Sequence, residues 1–257
     1  MELSKVATAL FPIVEHAGNI ELKYFYDEFE IMGKGDGSPV TLADREAEAY
    51  IQKELKEKYP DIPFIGEEAV EAGYIPDISQ GTFWLVDALD GTKQFINKNN
   101  EFTVNIALMI NFKPVLGVIY VPASKELYYG FDNCAYKRAT VEGEDVEIKV
   151  REMGNDNWTI FDSRNHSNIE KLQEYLACSK IGDTIRCGSS IKFCKIAEGV
   201  ADIYPRFWAT SEWDTAAGHA ILNAAGGTIE TPEGAEFKYG KVDKKFINHF
   251  FIAYGKR

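Results

Sequence analysis

The sequence predicts an α+β protein built from stacked layers of helix and sheet. Three observations predict it. An amphipathic helix opens the chain, short strands joined by tight turns fill its middle, and strands alternate with helices in its second half.

At 257 residues the chain can form one large domain or two halves that share a core. It is 45% hydrophobic and 26% charged, the proportions of a globular enzyme rather than a disordered chain. The net charge of −12 argues against a general nucleic-acid surface, which needs a basic face. A small anionic substrate stays open, because bound cations reverse the local charge at a carboxylate-rich site. Cys134, Cys178, Cys187 and Cys194 show no CxxC spacing, so small buried thiols in a reduced, cytoplasmic chain are expected. Glu2, Glu15 and Pro12 make the N-terminus unlike a signal peptide, and no window reads as a membrane span.

Taken in order, residues 3–26 place Val6, Leu10, Ile13, Ala17, Ile20 and Tyr24 at helical spacing. Pro12 falls inside that pattern and is expected to kink the helix or mark its true beginning. The glycine-rich segment around 33–40 has no apolar period and reads as a loop that orders when ligands bind. Thr41 serves as N-cap, with Asp44 at capping-box spacing, for a helix that runs to about Lys58 and stops at Pro60. IPFIGEEAV is a short strand ending in Gly66, Glu67 and Glu68. Further strands are expected at 82–89, 102–110, 115–121 and 125–131, with Asn111, Phe112, Lys113 and Pro114 as a hairpin connection. The charged stretch GEDVEIKVREMGNDN reads as a surface excursion between the two halves. After it come a strand in WTIFDSRN, a helix over 168–178, a strand in DTIRCG, a helix over 189–198 and a strand at 201–204. A helix over 214–225 ends at Gly226 and Gly227, and strands near 227–230 and 248–254 finish the chain.

Chemistry concentrates in WLVDALDGTKQFI, residues 84–96. A strand that ends in Asp87 and Asp90, followed at once by Gly91 and Thr92, puts two carboxylates where they repel one another. A divalent cation resolves that conflict, and hard oxygen donors without nearby His or Cys point to Mg²⁺. A solvated Asp-Gly turn is the plain alternative. Glu67, Glu68 and Asp214 supply further acids at element ends, each with its own plain reading as a turn or an N-cap. If the segments converge, they hold about the number of carboxylates that a two-metal phosphoryl-transfer site needs.

IGEE, WLVDALDGTKQFI and EWDTAAGHAIL, in this order and separation, resemble the metal-binding motifs of the lithium-sensitive, Mg²⁺-dependent phosphatases related to inositol monophosphatase. GDGSPVTLAD, DGTK and GSSIKFCKIAEGVADIYPR are similar to the bacterial 3′(2′),5′-bisphosphate nucleotidase branch of that superfamily. Ala88 departs from the proline usual there, without removing a ligand. The resemblance implies a layered αβαβα sandwich of the inositol monophosphatase/fructose-1,6-bisphosphatase type. One domain is expected, with a metal-binding half at 1–150 and an α/β half at 151–257 that carries nucleotide contacts and Asp214.

By the same resemblance, Glu67, Asp87 and the carbonyl of Leu89 hold one Mg²⁺, while Asp87, Asp90 and Asp214 hold a second. A third ion near Glu67 is implied as well. Asp44 and Thr92 are the pair that orients and deprotonates the attacking water, with Gly91 and Thr92 offering N–H groups to the phosphate. Glu67, Leu89, Asp90 and Asp214 also face the substrate. Ser163, His166, Gly188 and Lys192 are implied nucleotide contacts, and Arg164 and Arg206 are weaker candidates for the second phosphate. On composition alone, Lys192 reads as a solvated charge on a helix face and His166 as a surface histidine. The implied reaction is removal of the 3′-phosphate of adenosine 3′,5′-bisphosphate, with the sulfated analogue as a second substrate, and a place in sulfur assimilation. Inositol or sugar phosphate hydrolysis is the near alternative, and Mg²⁺-dependent nucleotide binding without turnover the distant one. The expected partners are the small-molecule nucleotide alone, with no nucleic acid polymer and no integral membrane association, in a monomer or homodimer.

Overall fold

The computed structural model describes residues 1–26, 31–33, 39–164, 169–175 and 181–256. The expected loop falls largely on 34–38, and His166 and Cys178 also lie outside the described residues. Helix α1 (Leu3–Tyr26) is followed by the two-stranded ribbon β1 (Ile31–Gly33) and β2 (Pro39–Thr41), and then by α2 (Leu42–Lys58). Pro12 neither begins nor ends α1. It sits on the exposed face, where the ring is solvated and only one helical N–H is lost.

Next come β3 (Phe64–Gly66), the short helix α3 (Glu67–Glu71), β4 (Phe83–Asp90) and the short helix α4 (Thr92–Ile96). Strands β5 (Thr103–Ile110), β6 (Lys113–Val121), β7 (Glu126–Phe131), β8 (Cys134–Arg138) and β9 (Val146–Ile148) extend the same sheet. Its order is β3-β4-β5-β6-β7-β8-β9, parallel at β3/β4 and antiparallel beyond. The hairpin between β5 and β6 is tighter than expected. Lys113 and Pro114 are already in β6, and Asn111 and Phe112 alone make the turn, with φ of 53° and 60°. That is the primed turn whose twist matches the flanking strands. The charged stretch is not a mere excursion either. Val146–Ile148 pairs with β8 and closes the sheet edge, burying only Ile148 and so hiding its strand pattern in sequence.

The second half comprises β10 (Trp158–Ser163), α5 (Ile169–Tyr175), β11 (Ile181–Cys187), α6 (Ile191–Ala197), β12 (Ile203–Arg206), α7 (Trp213–Ala224), β13 (Thr228–Glu230) and β14 (Phe251–Tyr254). Its five-stranded sheet has the order β11-β10-β12-β14-β13. Helix α7 ends as expected: Gly226, at φ 92°, donates to Asn223 O, and Gly227 N–H reaches back to Leu222 O.

Three hydrophobic clusters stack these elements. One joins α1 and α2 to Trp84, Val86, Val104 and Ile106 of the large sheet. A second joins Phe83, Leu85, Ala107 and Met109, on the opposite face, to α6, α7 and the five-stranded sheet. A third packs Ile160, Ile203 and Ile252 with Leu172 of α5. The layers therefore run αβαβα. Helix α7 lies directly on the large sheet because two glycines leave room for it. A Cβ on Gly117 would stand 2.2 Å from Ala217 O, and one on Gly130 would stand 2.8 Å from Ile221 Cα.

Candidate active site

Strand parity aims the acids. In β4, Phe83 and Leu85 face α7, so Asp87, two residues on, emerges on that face as well. The N-terminus of α7 brings Asp214 to the same place, and Glu67 arrives as the first residue of α3 beyond the neighbouring strand β3. One carboxylate oxygen from each of Glu67, Asp87 and Asp214 lies within 4.8 Å of the others. Glu67 and Glu68 thus open a helix rather than decorate a solvated turn.

Asp87 is 2% exposed. Burial, then the charges of Glu67, Asp90, Asp214 and Asp44, push its carboxyl far above the usual range. Asp214 is driven up in the same way, by burial first and then by Asp90 and Glu67, against relief from the Ser211 N–H and Arg206. No lysine or arginine among the described residues forms an ion pair with Asp87 or Asp214. Mutually repelling oxygen donors, with Asp87 buried and Glu67 and Asp214 half-buried, fit a hard divalent cation.

Each acid is held in place. The Leu89 N–H donates to Asp87 Oδ1 at 3.1 Å across an irregularity in the β4/β5 pairing between Asp87 and Asp90. Asp90 Oδ2 accepts from Ser189 Oγ at 2.9 Å and from the Ser190 N–H at 2.6 Å, and lies 2.7 Å from Ser190 Oγ. Trp213 Nε1 donates to Glu67 Oε2 at 3.1 Å, and the Ser211 N–H to Asp214 Oδ2 at 2.9 Å. Glu48 accepts the Glu68 and Ala69 N–H groups and so anchors the start of α3, while burial raises its own pKa to about 7. Gly91 adopts φ 97° ahead of α4, and a Cβ there would stand 2.8 Å from Glu101 O.

The expected Asp44–Thr92 pair is not joined in this structure. Asp44 is 1% exposed at the start of α2, near enough to raise Asp87, but the Thr92 hydroxyl donates to Leu89 O at 3.2 Å.

A cavity of about 250 Å³ runs from Glu67, Asp90, Gly91, Thr92 and Asp214 to a basic end at Ser163, Arg164, Gly188, Lys192 and Arg206. Lys192 is not a solvated charge: it is 3% exposed, donates to Cys187 O and Ser189 O, and stands 4.8 Å from the Tyr204 ring centroid. Arg164 is bidentate to Glu101 at 2.5 and 2.6 Å, and the Gly188 N–H donates to the same carboxylate at 2.7 Å. Burial pushes Glu101 up, but these donors overcome it and hold the carboxyl below its usual range. Arg206 donates to Ser163 Oγ at 2.8 Å, and its buried Nε has no partner among the described residues. Cys187 and Cys194 are buried free thiols as expected, and Cys134 is half-buried.

Glu101, Glu48, Ser189 and Ser190 escaped the sequence reading. The two serines stand inside GSSIKFC, which drew attention to Gly188 and Lys192 instead. Glu101 shows no local signal, since its partners lie 63 and 87 residues away.

The family model described as the inositol monophosphatase family matches residues 2–248. The 3′(2′),5′-bisphosphate nucleotidase CysQ of Salmonella typhimurium is 46% identical over 210 residues, covering 82% of this chain and 83% of that protein. CysQ of Buchnera aphidicola is 41% identical over 254 residues, 97% of this chain and 93% of that one. The crystal structure of CysQ from Bacteroides thetaiotaomicron, a bacterial member of the inositol monophosphatase family, matches with a TM-score of 0.80 at 36% identity and covers 98% of both chains. Among the described residues no helix is long and apolar enough to cross a membrane.

Proposed function

The chain belongs to the inositol monophosphatase family, whose members are metal-dependent phosphatases, and on that premise we propose that it is a Mg²⁺-dependent 3′(2′),5′-bisphosphate nucleotidase. It hydrolyses the 3′-phosphate of adenosine 3′,5′-bisphosphate, and of the sulfated analogue, to leave the 5′-nucleotide and phosphate. One observation carries this reading beyond the relatives' names: a single cavity joins the carboxylate cluster to a basic end. A substrate with two phosphates needs two such anion sites, one built around cations bound by acids and one of arginine and lysine.

In this reading the halves 1–150 and 151–257 work as one domain. Glu67, Asp87 and Leu89 O would hold one ion, and Asp87, Asp90 and Asp214 a second. Mg²⁺ bound there supplies neutralisation of phosphoryl charge and acidification of water. Turning the Thr92 hydroxyl away from Leu89 O would free the carbonyl as a ligand and the hydroxyl as a proton relay to Asp44. The Gly91 and Thr92 N–H groups face the cavity end where the reacting phosphate would sit. At the other end, Lys192 has one of its three N–H donors left after its two carbonyl bonds, and the Arg206 guanidinium lines the same cavity, so these two would hold the non-reacting phosphate.

Phosphate release from adenosine 3′,5′-bisphosphate, inositol 1-phosphate and fructose 1,6-bisphosphate, each with and without Mg²⁺, tests the proposal. The adenosine bisphosphate should give the highest kcat/KM and only with Mg²⁺. A preference for either of the other two, or full turnover in excess chelator, would overturn it.

A further inference from the structure

A second cavity, of about 680 Å³, lies at the far end of α7, between the β5–β6 turn and β13 with the segment that follows it. That is within the range of small-molecule sites. Its walls include Phe112, Val115, Ile229 and Phe237, and Lys238 is an exposed cation among its lining residues. Phe112 holds a left-handed backbone at φ 60°, a conformation that an aromatic side chain rarely adopts.

His219 also lines this cavity, although it is only 7% exposed. Its hydrogen bonds fix its tautomer. The Thr215 hydroxyl donates its one proton to Glu212 O at 3.1 Å, so toward Tyr239 it can only accept. Tyr239 Oη therefore donates to Thr215 Oγ1 at 3.3 Å, and its oxygen accepts from His219 Nδ1–H at 3.0 Å. With the proton on Nδ1, Nε2 carries a lone pair. It has no partner among the described residues and is not sealed from solvent. Burial depresses the imidazole pKa to about 4, so the ring is a neutral acceptor near pH 7. An acceptor without a partner, on a residue that lines an open, aromatic-walled cavity, is a position for a ligand's donor.

We propose that this cavity is a second small-molecule site, which takes a flat, apolar-bodied ligand that presents an N–H or O–H donor to Nε2 of His219. The inference stands on the cavity and the hydrogen-bond chain, and does not rest on the reaction proposed above. Thr215 also lines the first cavity, so the chain from His219 through Tyr239 ends one residue from Asp214.

Indole and its oxygen isostere benzofuran have the same shape but differ in the donor, and both lack the phosphate that the first cavity favours. The full-length protein with ¹⁵N-labelled histidine should show the His219 Nε2 resonance at the position of an unprotonated nitrogen at pH 7.5. Indole should move that resonance and bind about three- to tenfold more tightly than benzofuran. Asn223→Trp, at an exposed position lining the cavity, should block both probes, and Tyr239→Phe should narrow the difference between them. A protonated Nε2 in the free protein, equal affinity for the two probes, no movement of the resonance, or binding that survives Asn223→Trp would each overturn the proposal.

Discussion

At one end of the first cavity the half-buried Glu67 and Asp214 gather about the buried Asp87, and no lysine or arginine of the described chain pairs with Asp87 or Asp214, whereas at the other end Arg164, Lys192 and Arg206 already have partners. The acid end stores repulsion that protonation or an added cation relieves. The basic end has traded part of its charge for position, since Glu101 and two backbone carbonyls fix where the cations stand. One end is completed by its ions, and the other is complete before the substrate arrives.

The largest effect should come from breaking the acid end. Asp87→Asn removes the proposed bridge between ions and should lower kcat by several kcal/mol, roughly a thousandfold. The same substitution should raise Tm in metal-free protein, because it deletes a buried charge repelled by four others. Turnover near wild type, or a lower metal-free Tm, would show that the acids are not in conflict.

The basic end breaks more gently. Arg206→Ala should lower kcat/KM by about ten- to a hundredfold on the bisphosphate and hardly at all on 3′-AMP, as fits a charge-assisted contact worth about 1.5–3 kcal/mol. Lys192→Ala should lower turnover of both substrates, and more on the bisphosphate, because Lys192 also ties down the turn that carries Ser189 and Ser190 against Asp90. A loss confined to the bisphosphate for Lys192→Ala would leave Lys192 its phosphate contact and rule out its hold on the Ser189–Ser190 turn as a contribution to turnover.

A smaller effect links the acids to pH. The folded-state pKa values of Asp87 and Asp214 are raised, so their contribution to stability is present at low pH and is lost as pH rises through those values. The rise in Tm on adding Mg²⁺ should therefore be larger at pH 7.5 than at pH 5.5. Calorimetry at both values checks this, and equal increments would count against it.

The smallest expected effect has the opposite sign and comes from the second cavity. Burial pushes the His219 imidazole down from the usual 6.5 to about 4 in the folded protein, so its contribution is full above about 6.5 and is lost as pH falls toward 4. That shift corresponds to about 3 kcal/mol at most, of which the window between pH 6.5 and 4.5 reads only part. His219→Gln should flatten the Tm profile between pH 6.5 and 4.5, and an unchanged slope would exclude His219 as its source.

The acid end was legible in sequence because each acid is local to an element end: Asp87 and Asp90 on one strand, Glu67 after the next, Asp214 opening a helix. Helical spacing likewise revealed α1, and the Thr41–Asp44 cap with the stop at Pro60 revealed α2. The edge strand β9 was hidden because two of its three residues are exposed and its neighbours are charged, so no apolar alternation marks it. The basic end was legible only as a motif. Nothing local to Lys192 tells that its ammonium turns inward to Cys187 O and Ser189 O, and nothing local to Glu101 tells that Arg164 will reach it. Such pairings are decided by the stacking of two sheets about α7, and strand or helix periodicity does not carry that information.

Gly117 of the large sheet touches α7 at Ala217, three residues from Asp214, or roughly 4.5 Å along the helix axis. Gly130 touches the same helix at Ile221, one turn further away. The glycine floor under α7 therefore works as a lever with two fulcrums at different distances from its loaded tip. A single methyl added at Gly117 must lift the helix close to the ion-binding carboxylate, while the same methyl at Gly130 tilts it from further back. The proposed ion affinity of this fold can thus be tuned from the sheet beneath α7, by residues that line neither cavity.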